Sequence, residues 1–284
     1  MTVLLPTSIE EAVAALTDPD AELLAGGTDF MVEVNAGHRR PQAIIALERI
    51  DELKRWERVG DTVRLGAGVT YTQMLDPDLA RLVPALAHAA RTVGSPQIRN
   101  AGTLGGNLGT SSPAGDTLPV LAALDAVVEV QGPTGRRQVA LPDFVTGPKR
   151  NALLPGELVV AVELPVLRGH QEFRKVGVRN AMVIAVASMA FAVDEAGRNV
   201  RCALGAVGPV PLRADEAETW LADRIDWDRA ALDDPADLER FGDLVTEASR
   251  AIDDHRGTAT YRTHAIGVLA RRAATRAFGP GAAT

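Results

Sequence analysis

The stretch Gly102-Thr103-Leu104-Gly105-Gly106-Asn107-Leu108-Gly109 constrains this chain more than any other. Half of its positions are glycine, which costs backbone entropy in a regular element but permits a positive φ or the close approach of another group. The expectation is an irregular loop rather than a helix or strand, with consecutive N–H groups available to cradle an anion such as a phosphate. Ser111-Ser112-Pro113-Ala114-Gly115-Asp116 follows, and Asp116 opens the apolar run Leu118 to Leu124, which reads as a helix. Asp116 either caps that helix or accepts hydrogen bonds from a ligand hydroxyl. Taken alone, the stretch fits a glycine-rich turn as well as a phosphate cradle.

A second glycine stretch shifts that balance. Leu23-Leu24-Ala25-Gly26-Gly27-Thr28-Asp29-Phe30 reads as a short apolar strand, a double-glycine turn, a hydroxyl and the start of a helix. That order presents backbone N–H groups and a helix dipole to a phosphate. Two such segments in one chain suit a ligand with two phosphates.

Composition narrows the rest. A chain of 284 residues, 46% hydrophobic and 24% charged, can build one large or two medium domains with substantial cores. The formal net charge of −7 argues against nucleic acid as a main partner, because no basic field is present to neutralise phosphates. Cys202 is the single cysteine, which excludes an intramolecular disulfide and an iron–sulfur cluster held by several cysteines of this chain. The five histidines, His38, His88, His170, His255 and His264, lack paired ligand spacing, so no metal site is expected. No apolar run approaches the ~20 residues of a membrane helix, and the N-terminus lacks a charged-then-apolar leader pattern. The protein is therefore expected to be cytoplasmic. Lys54, Lys149 and Lys175 are the only lysines, which we attribute to base composition.

In chain order, Ser8 and Glu11 form a capping box for a helix running to about Leu16. Ala21 to Ala25 and Ala43 to Leu47 read as buried strands around a short helix through Met31 and Val34, giving a small parallel α/β unit. Trp56 to Val59 and Val63 to Leu65 form a hairpin. Thr70 caps a short helix. Leu79 to Val93 reads as one amphipathic helix ended by Gly94-Ser95-Pro96, and Ile98-Arg99-Asn100 leads straight into the central glycine stretch. Ala126 to Gln131 and Arg136 to Ala140 make a second hairpin, and Leu158 to Leu164 is a strand stopped by Pro165. Beyond Arg168 the texture changes to three antiparallel strands, within 173–179, 183–193 and 200–207, and then to helices. The last helix, Tyr261 to Phe278, carries Ile266, Leu269, Ala273 and Ala277 inward and Arg271, Arg272 and Arg276 outward into solvent. The fold class expected is α+β. A first domain over 1–167 combines the small parallel unit with a mixed or antiparallel sheet and helices. A second domain over 168–284 holds the three-stranded antiparallel sheet and a helical bundle.

The sequences Ala25-Gly26-Gly27-Thr28-Asp29, Gly102-Thr103-Leu104-Gly105-Gly106-Asn107 and Ser112-Pro113-Ala114-Gly115-Asp116 together resemble the FAD-binding medium subunit of the molybdenum hydroxylases. That family includes xanthine, carbon monoxide and aldehyde dehydrogenases, and the resemblance extends over nearly the whole chain. It implies FAD as the cofactor of this chain, with the molybdenum cofactor on a large partner subunit and iron–sulfur clusters on a small one. The assembly implied is a dimer of heterotrimers. Substrate hydroxylation would occur on the large subunit, and electrons would pass through the clusters to FAD and then to an external acceptor.

Carried over by motif, the implied FAD contacts are Leu23, Leu24, Ala25, Gly26, Gly27, Thr28, Asp29 and Phe30, then Thr103, Leu104, Gly105, Gly106 and Asn107. Asp116 would accept from ribose or ribityl hydroxyls. The backbone near Val159 would meet the flavin ring. Lys175 would stand near the flavin, where a cation stabilises the anionic reduced ring; the alternative is an exposed strand lysine. Val93 falls where animal xanthine dehydrogenases carry an aromatic against the flavin, and valine cannot stack. By residue chemistry, diphosphate donors are offered by the N–H groups of Gly26, Gly27, Thr28, Gly105, Gly106 and Asn107 and by the hydroxyls of Thr28 and Thr103. No nucleophile or acid–base pair for hydroxylation is evident. Two other readings are a self-sufficient FAD-dependent reductase or oxidase and a non-catalytic nucleotide-binding assembly subunit.

Overall fold

The computed structural model describes residues 2–180 and 182–279. It divides into two compact units that the chain enters more than once. The first holds the chain up to Asp76, then Gly94–Ser112 and Asp125–Pro165; the second holds Pro77–Val93, Pro113–Leu124 and the chain from Val166 onward.

The first unit contains two sheets. In the smaller, the central strand Ala43–Ala46 is flanked in parallel by Thr2–Leu4 and Ala21–Leu24. The first of these flanking strands is absent from the sequence reading; it is three residues long and exposed, so no burial pattern marks it. Ser8 caps helix Ile9–Ala15 by accepting from the Glu11 N–H, while the Glu11 carboxylate accepts from the N–H of Thr7. Helix Phe30–Asn35 lays Phe30 against Ile44 and Ala46. The larger sheet is antiparallel throughout, in the order Trp56–Val59, Thr62–Gly66, Leu158–Pro165, Val127–Gly132, Gly135–Ala140. Strand Leu158–Pro165 is central, and apart from Glu163 it is apolar on both faces, as suits a strand with neighbours on both edges and cover on both sides.

Two helices here correct the sequence expectation. Pro96–Ala101 is helical, capped by Ser95, whose hydroxyl accepts from the Ile98 N–H. Leu104–Thr110 is an α-helix as well, capped by the Thr103 hydroxyl, so the central glycine stretch is not a loop. The glycines there serve close approach rather than unusual dihedrals. A Cβ at Gly105 would lie 2.6 Å from the Ala67 Cβ and 2.9 Å from the Ala67 carbonyl oxygen, so only glycine lets this helix rest on that backbone.

The second unit is built on a four-stranded antiparallel sheet, Gln171–Val176, Ala187–Asp194, Asn199–Gly205 and Leu212–Arg213. The fourth strand, two residues long, adds to the three that the sequence indicates. Helices Asp215–Ala222, Ala236–Glu247 and Ala259–Phe278 share a core with the sheet in which Phe191 meets Phe241 and Phe278 edge-on. Gly242 and Gly267 let the last two helices cross closely; a Cβ on either would stand 3.0 Å from the other's carbonyl oxygen.

The expected single helix over 79–93 is two, Pro77–Leu82 and Pro84–Thr92. Pro84 removes an N–H and pushes Val83 out of the α region, to φ −135° and ψ 71°. Arg276 is not simply solvated: it donates to Glu172, a carboxylate that is 2% exposed. Helix Thr117–Ala123 is buried along its whole length. Among the described residues no helix is long and apolar enough to cross a membrane.

Candidate functional site

Within the first unit, the end of strand Ala21–Leu24 delivers the chain into the turn at Gly26 and Gly27. Gly27 has φ +70°, the left-handed region that glycine occupies without strain. Gly26 is required for a different reason, since a Cβ there would fall 1.7 Å from the Ala101 carbonyl oxygen. The turn thus runs directly along the end of helix Pro96–Ala101. Among the described residues, the N–H groups of Gly26, Gly27 and Thr28 donate to no acceptor. Unpaired backbone donors grouped at a turn that opens a helix are what an anion requires.

The second glycine segment reaches the same place by another route. Gly106 faces Ala25, whose Cβ would stand 3.9 Å from a Cβ on Gly106; among the described residues, and apart from the helix's own backbone, the one nearer atom is the Thr103 hydroxyl oxygen at 3.0 Å. The space beside Gly106 is therefore open and borders the start of the first glycine turn. Its backbone donors, however, are occupied. Leu104 N–H donates to Val69 O at 2.9 Å and Gly105 N–H to Ala67 O at 2.7 Å. Gly106 N–H donates to Thr103 Oγ1 at 3.0 Å and Asn107 N–H to Thr103 O at 3.0 Å. The expectation that Gly105, Gly106 and Asn107 all offer free N–H groups is corrected: the helix and the Ala67–Val69 backbone take them. What the segment supplies is a bare surface at Gly106 and the positive end of its backbone dipoles.

The turn over 147–151, which the sequence reading passed over, ties both segments down. Asn151 Nδ2 donates to Gly109 O at 2.9 Å, and Lys149 N–H donates to Ser111 O at 3.0 Å, both at the far end of helix Leu104–Thr110. The Lys149 ammonium bonds Glu33 of helix Phe30–Asn35 at 2.9 Å. The hydrogen bond from Lys149, and after it the charge of Lys149, lowers the pKa of Glu33. The scarcity of lysine in the sequence was the one signal that could have drawn attention to it. Val159 is buried and sits at a register shift, where the strand pairing passes from Val159 to Ala161. The intervening Val160 carbonyl accepts from the Ala67 N–H at 2.8 Å, beneath the Gly105 contact.

Within the second unit, Asp116 precedes helix Thr117–Ala123 but makes no side-chain cap. Instead Oδ2 accepts from Lys175 Nζ at 2.5 Å and from Thr92 Oγ1 at 3.2 Å. Oδ1 is buried with no hydrogen-bond partner among the described residues. Burial pushes the Asp116 carboxyl up from its ordinary value, more than the charge and hydrogen bond of Lys175 pull it down. Lys175 is thus not an exposed strand lysine: its side chain is 9% exposed, and Nζ also donates to the carbonyls of Thr92 and Val183. Val93 follows Thr92 at the C-terminal end of helix Pro84–Thr92 and is half-buried. A separate cluster surrounds Glu172, which accepts from Arg174 and Arg276. Burial raises its pKa, but the hydrogen bonds and charges around it win and hold the carboxyl at about 2. The His170 ring, with Nε2 3.8 Å from Oε2, and the guanidiniums of Arg276 and Arg174 all favour the charged carboxylate.

Among the described residues no group of three His, Cys, Asp or Glu side chains could hold a metal ion. The mixed α/β fold brings the two glycine segments together, with unpaired backbone donors at 26–28 beside the open face of Gly106, the kind of surface a phosphate group requires. Residues 1–167 match the family described as the FAD binding domain in molybdopterin dehydrogenase, and residues 171–277 match the CO dehydrogenase flavoprotein C-terminal domain. The chain belongs to this family of FAD-binding medium subunits of molybdenum hydroxylases. It is 37% identical to the nicotinate dehydrogenase FAD-subunit of Eubacterium barkeri, over 76% of this chain and 77% of that one. It is 34% identical to the glyceraldehyde dehydrogenase medium chain of Sulfolobus acidocaldarius, over 94% of each. The structure superposes on that of cyanide-inactivated Cu,Mo-CO dehydrogenase with a TM-score of 0.87 and 31% identity, covering 98% of this chain and 97% of that chain.

Proposed function

We propose that this chain carries FAD non-covalently as the electron-transfer subunit of a molybdenum hydroxylase complex. The complex would join it to an iron–sulfur small subunit and a molybdenum-binding large subunit, as a cytoplasmic dimer of heterotrimers. The relatives' own names, FAD-subunit and medium chain, support a division of labour among chains. When bound, FAD supplies a group that accepts electrons arriving from a partner's clusters and passes them to an external acceptor.

The residues of the first unit fit that group. The observation that carries the reading is the free N–H array of Gly26, Gly27 and Thr28 beside the open face of Gly106. Backbone donors there would hold the diphosphate, and the hydroxyls of Thr28 and Thr103 would add donors without bulk. Leu23, Leu24, Ala25, Asp29 and Phe30 would shape the first segment, and Leu104, Gly105 and Asn107 the second. Val159 would offer its backbone to the ring system. In the second unit Asp116, Lys175 and Val93 are assigned to FAD from the family resemblance. The functional boundary we propose places the FAD-binding domain over 1–167 and the C-terminal domain over 168–284, consistent with the two family matches.

No histidine or cysteine lies in either glycine segment, so neither a histidyl nor a cysteinyl link to the flavin can form there. Purified protein should be yellow and should release free FAD on denaturation. Protein that is colourless and takes up no added FAD would refute the reading. Co-purification of cluster-bearing and molybdenum-bearing partners tests the proposed complex, and recovery of an FAD-loaded chain with no partners in its native host would count against it.

A further inference from the structure

Lys175 and Asp116 have roles that the geometry separates. An ammonium has three donors and no acceptor, and Lys175 Nζ uses them on Asp116 Oδ2, Thr92 O and Val183 O, at 2.5, 3.0 and 3.1 Å. To touch a flavin ring, Lys175 would have to release one of these. Releasing Asp116 would leave a buried carboxylate without its counter-charge, which is strongly destabilising. Releasing a carbonyl would strand a backbone acceptor.

Asp116 is in the opposite state. The side chain is 7% exposed, Oδ2 has two donors, and Oδ1 is buried with none among the described residues. A buried carboxylate oxygen without a donor is rare in native structures and calls for a missing partner. A ligand hydroxyl would supply it, whereas an apolar group would not.

We propose that Lys175 is a positioning residue, which holds Asp116 through Oδ2 so that Oδ1 receives a ribose or ribityl hydroxyl, and which makes no contact with the flavin ring. This rests on the FAD-binding reading and departs from the role that the family resemblance implies for Lys175. It also changes the expected electrostatics. Lys175 and Asp116 in contact form a compact dipole, whose field falls off faster than that of a lone ammonium. The pair therefore has little leverage on the flavin's reduction potential.

The test combines a mutant cycle with a potential. Wild type, Lys175→Met, Asp116→Asn and the double variant are stripped of FAD, checked for fold by circular dichroism, and titrated with FAD. Each single variant should weaken FAD binding by about tenfold to a hundredfold, the effect of losing a hydrogen bond to a charged group. The double variant should be no weaker than Asp116→Asn, because Lys175 acts through Asp116. The reduction potential of bound FAD should be the same in the double variant, where the ion pair is replaced by two neutral side chains and the local net charge is unchanged, as in wild type. In the double variant, a lowered potential or additive losses would overturn the proposal. Because the chain has three lysines, nitrogen-15 labelling at Nζ gives a readout on the wild type that needs no variant to fold. The Lys175 signal should not move when bound FAD is reduced, and a large shift would place the ammonium at the ring and refute the positioning role. Wild-type protein that binds no FAD would instead overturn the function reading itself.

Discussion

Gly105 and Gly106 are adjacent, yet valine at each should fail in opposite ways. A Cβ on Gly106 meets Thr103 Oγ1 at 3.0 Å and Ala25 Cβ at 3.9 Å, with no other atom of the described residues within 4 Å beyond its own helix backbone. Gly106 is not among the positive-φ residues, so a side chain is compatible with its backbone. Replacing a helical glycine also recovers part of the ~1 kcal/mol that glycine costs. Gly106→Val should therefore leave stability within about 1 kcal/mol of wild type, a Tm change of roughly 2–4 °C or less for a chain this size. The two methyl groups would fill the open space beside the first glycine turn, and FAD affinity should fall by more than about a hundredfold, equivalent to ~3 kcal/mol. Gly105→Val instead drives a side chain into Ala67, whose Cβ and carbonyl oxygen lie 2.6 and 2.9 Å from the new Cβ. Overpacking of this kind costs about 1–3 kcal/mol, and the loss should appear as a lowered Tm of the apoprotein. Thermal unfolding and FAD titration of both variants decide the matter. Full flavin occupancy in Gly106→Val would show that the segment is only a packing helix.

Other outcomes follow from the same geometry. Gly26→Ala should unfold or distort the first unit as well as abolish FAD uptake, because its Cβ would sit 1.7 Å from the Ala101 carbonyl oxygen; a stable, flavin-loaded variant would contradict that. Glu172 has a folded pKa of about 2 against an ordinary 4.5, so its stabilisation is complete above about 4.5 and is lost as pH falls towards 2. The shift corresponds to at most about 3 kcal/mol, reduced to about 1–2 kcal/mol because Arg174 and Arg276 are partly solvent-exposed. Glu172→Gln should remove that part of the acid dependence, and an unchanged stability-versus-pH curve between 2 and 4.5 would refute it. Cys202 is fully buried and its thiol is pushed up by desolvation, so thiol reagents should label it only after unfolding.

The sequence reading located the strands and helices around the glycine segments because their apolar runs are short, continuous and bounded by turn residues. It erred where glycine and proline act through packing rather than through local preference. Leu104–Thr110 is helical although rich in glycine, since its cap at Thr103 and its contact with Ala67 outweigh the entropy of glycine. Pro84 splits a helix whose apolar spacing runs on across the break. Asp116, Lys175 and Thr92 were singled out or passed over individually, but nothing in linear spacing shows that the first two bond each other. The partners of Glu172 come from Arg174, two residues on, and from Arg276, far along the chain, and only the second is beyond the reach of local pattern. The turn carrying Lys149 and Asn151 left no motif, since its contribution is a pair of contacts to segments distant in sequence.

The central claim is that this chain holds FAD without a covalent bond, chiefly through backbone donors at Gly26, Gly27 and Thr28. Apoprotein titrated with FAD, followed by precipitation of the protein and chromatography of the supernatant, tests it most directly. The account predicts saturation at one FAD per chain and complete recovery of unmodified FAD in the supernatant. Absence of binding, or flavin that stays with the precipitated protein, would contradict it.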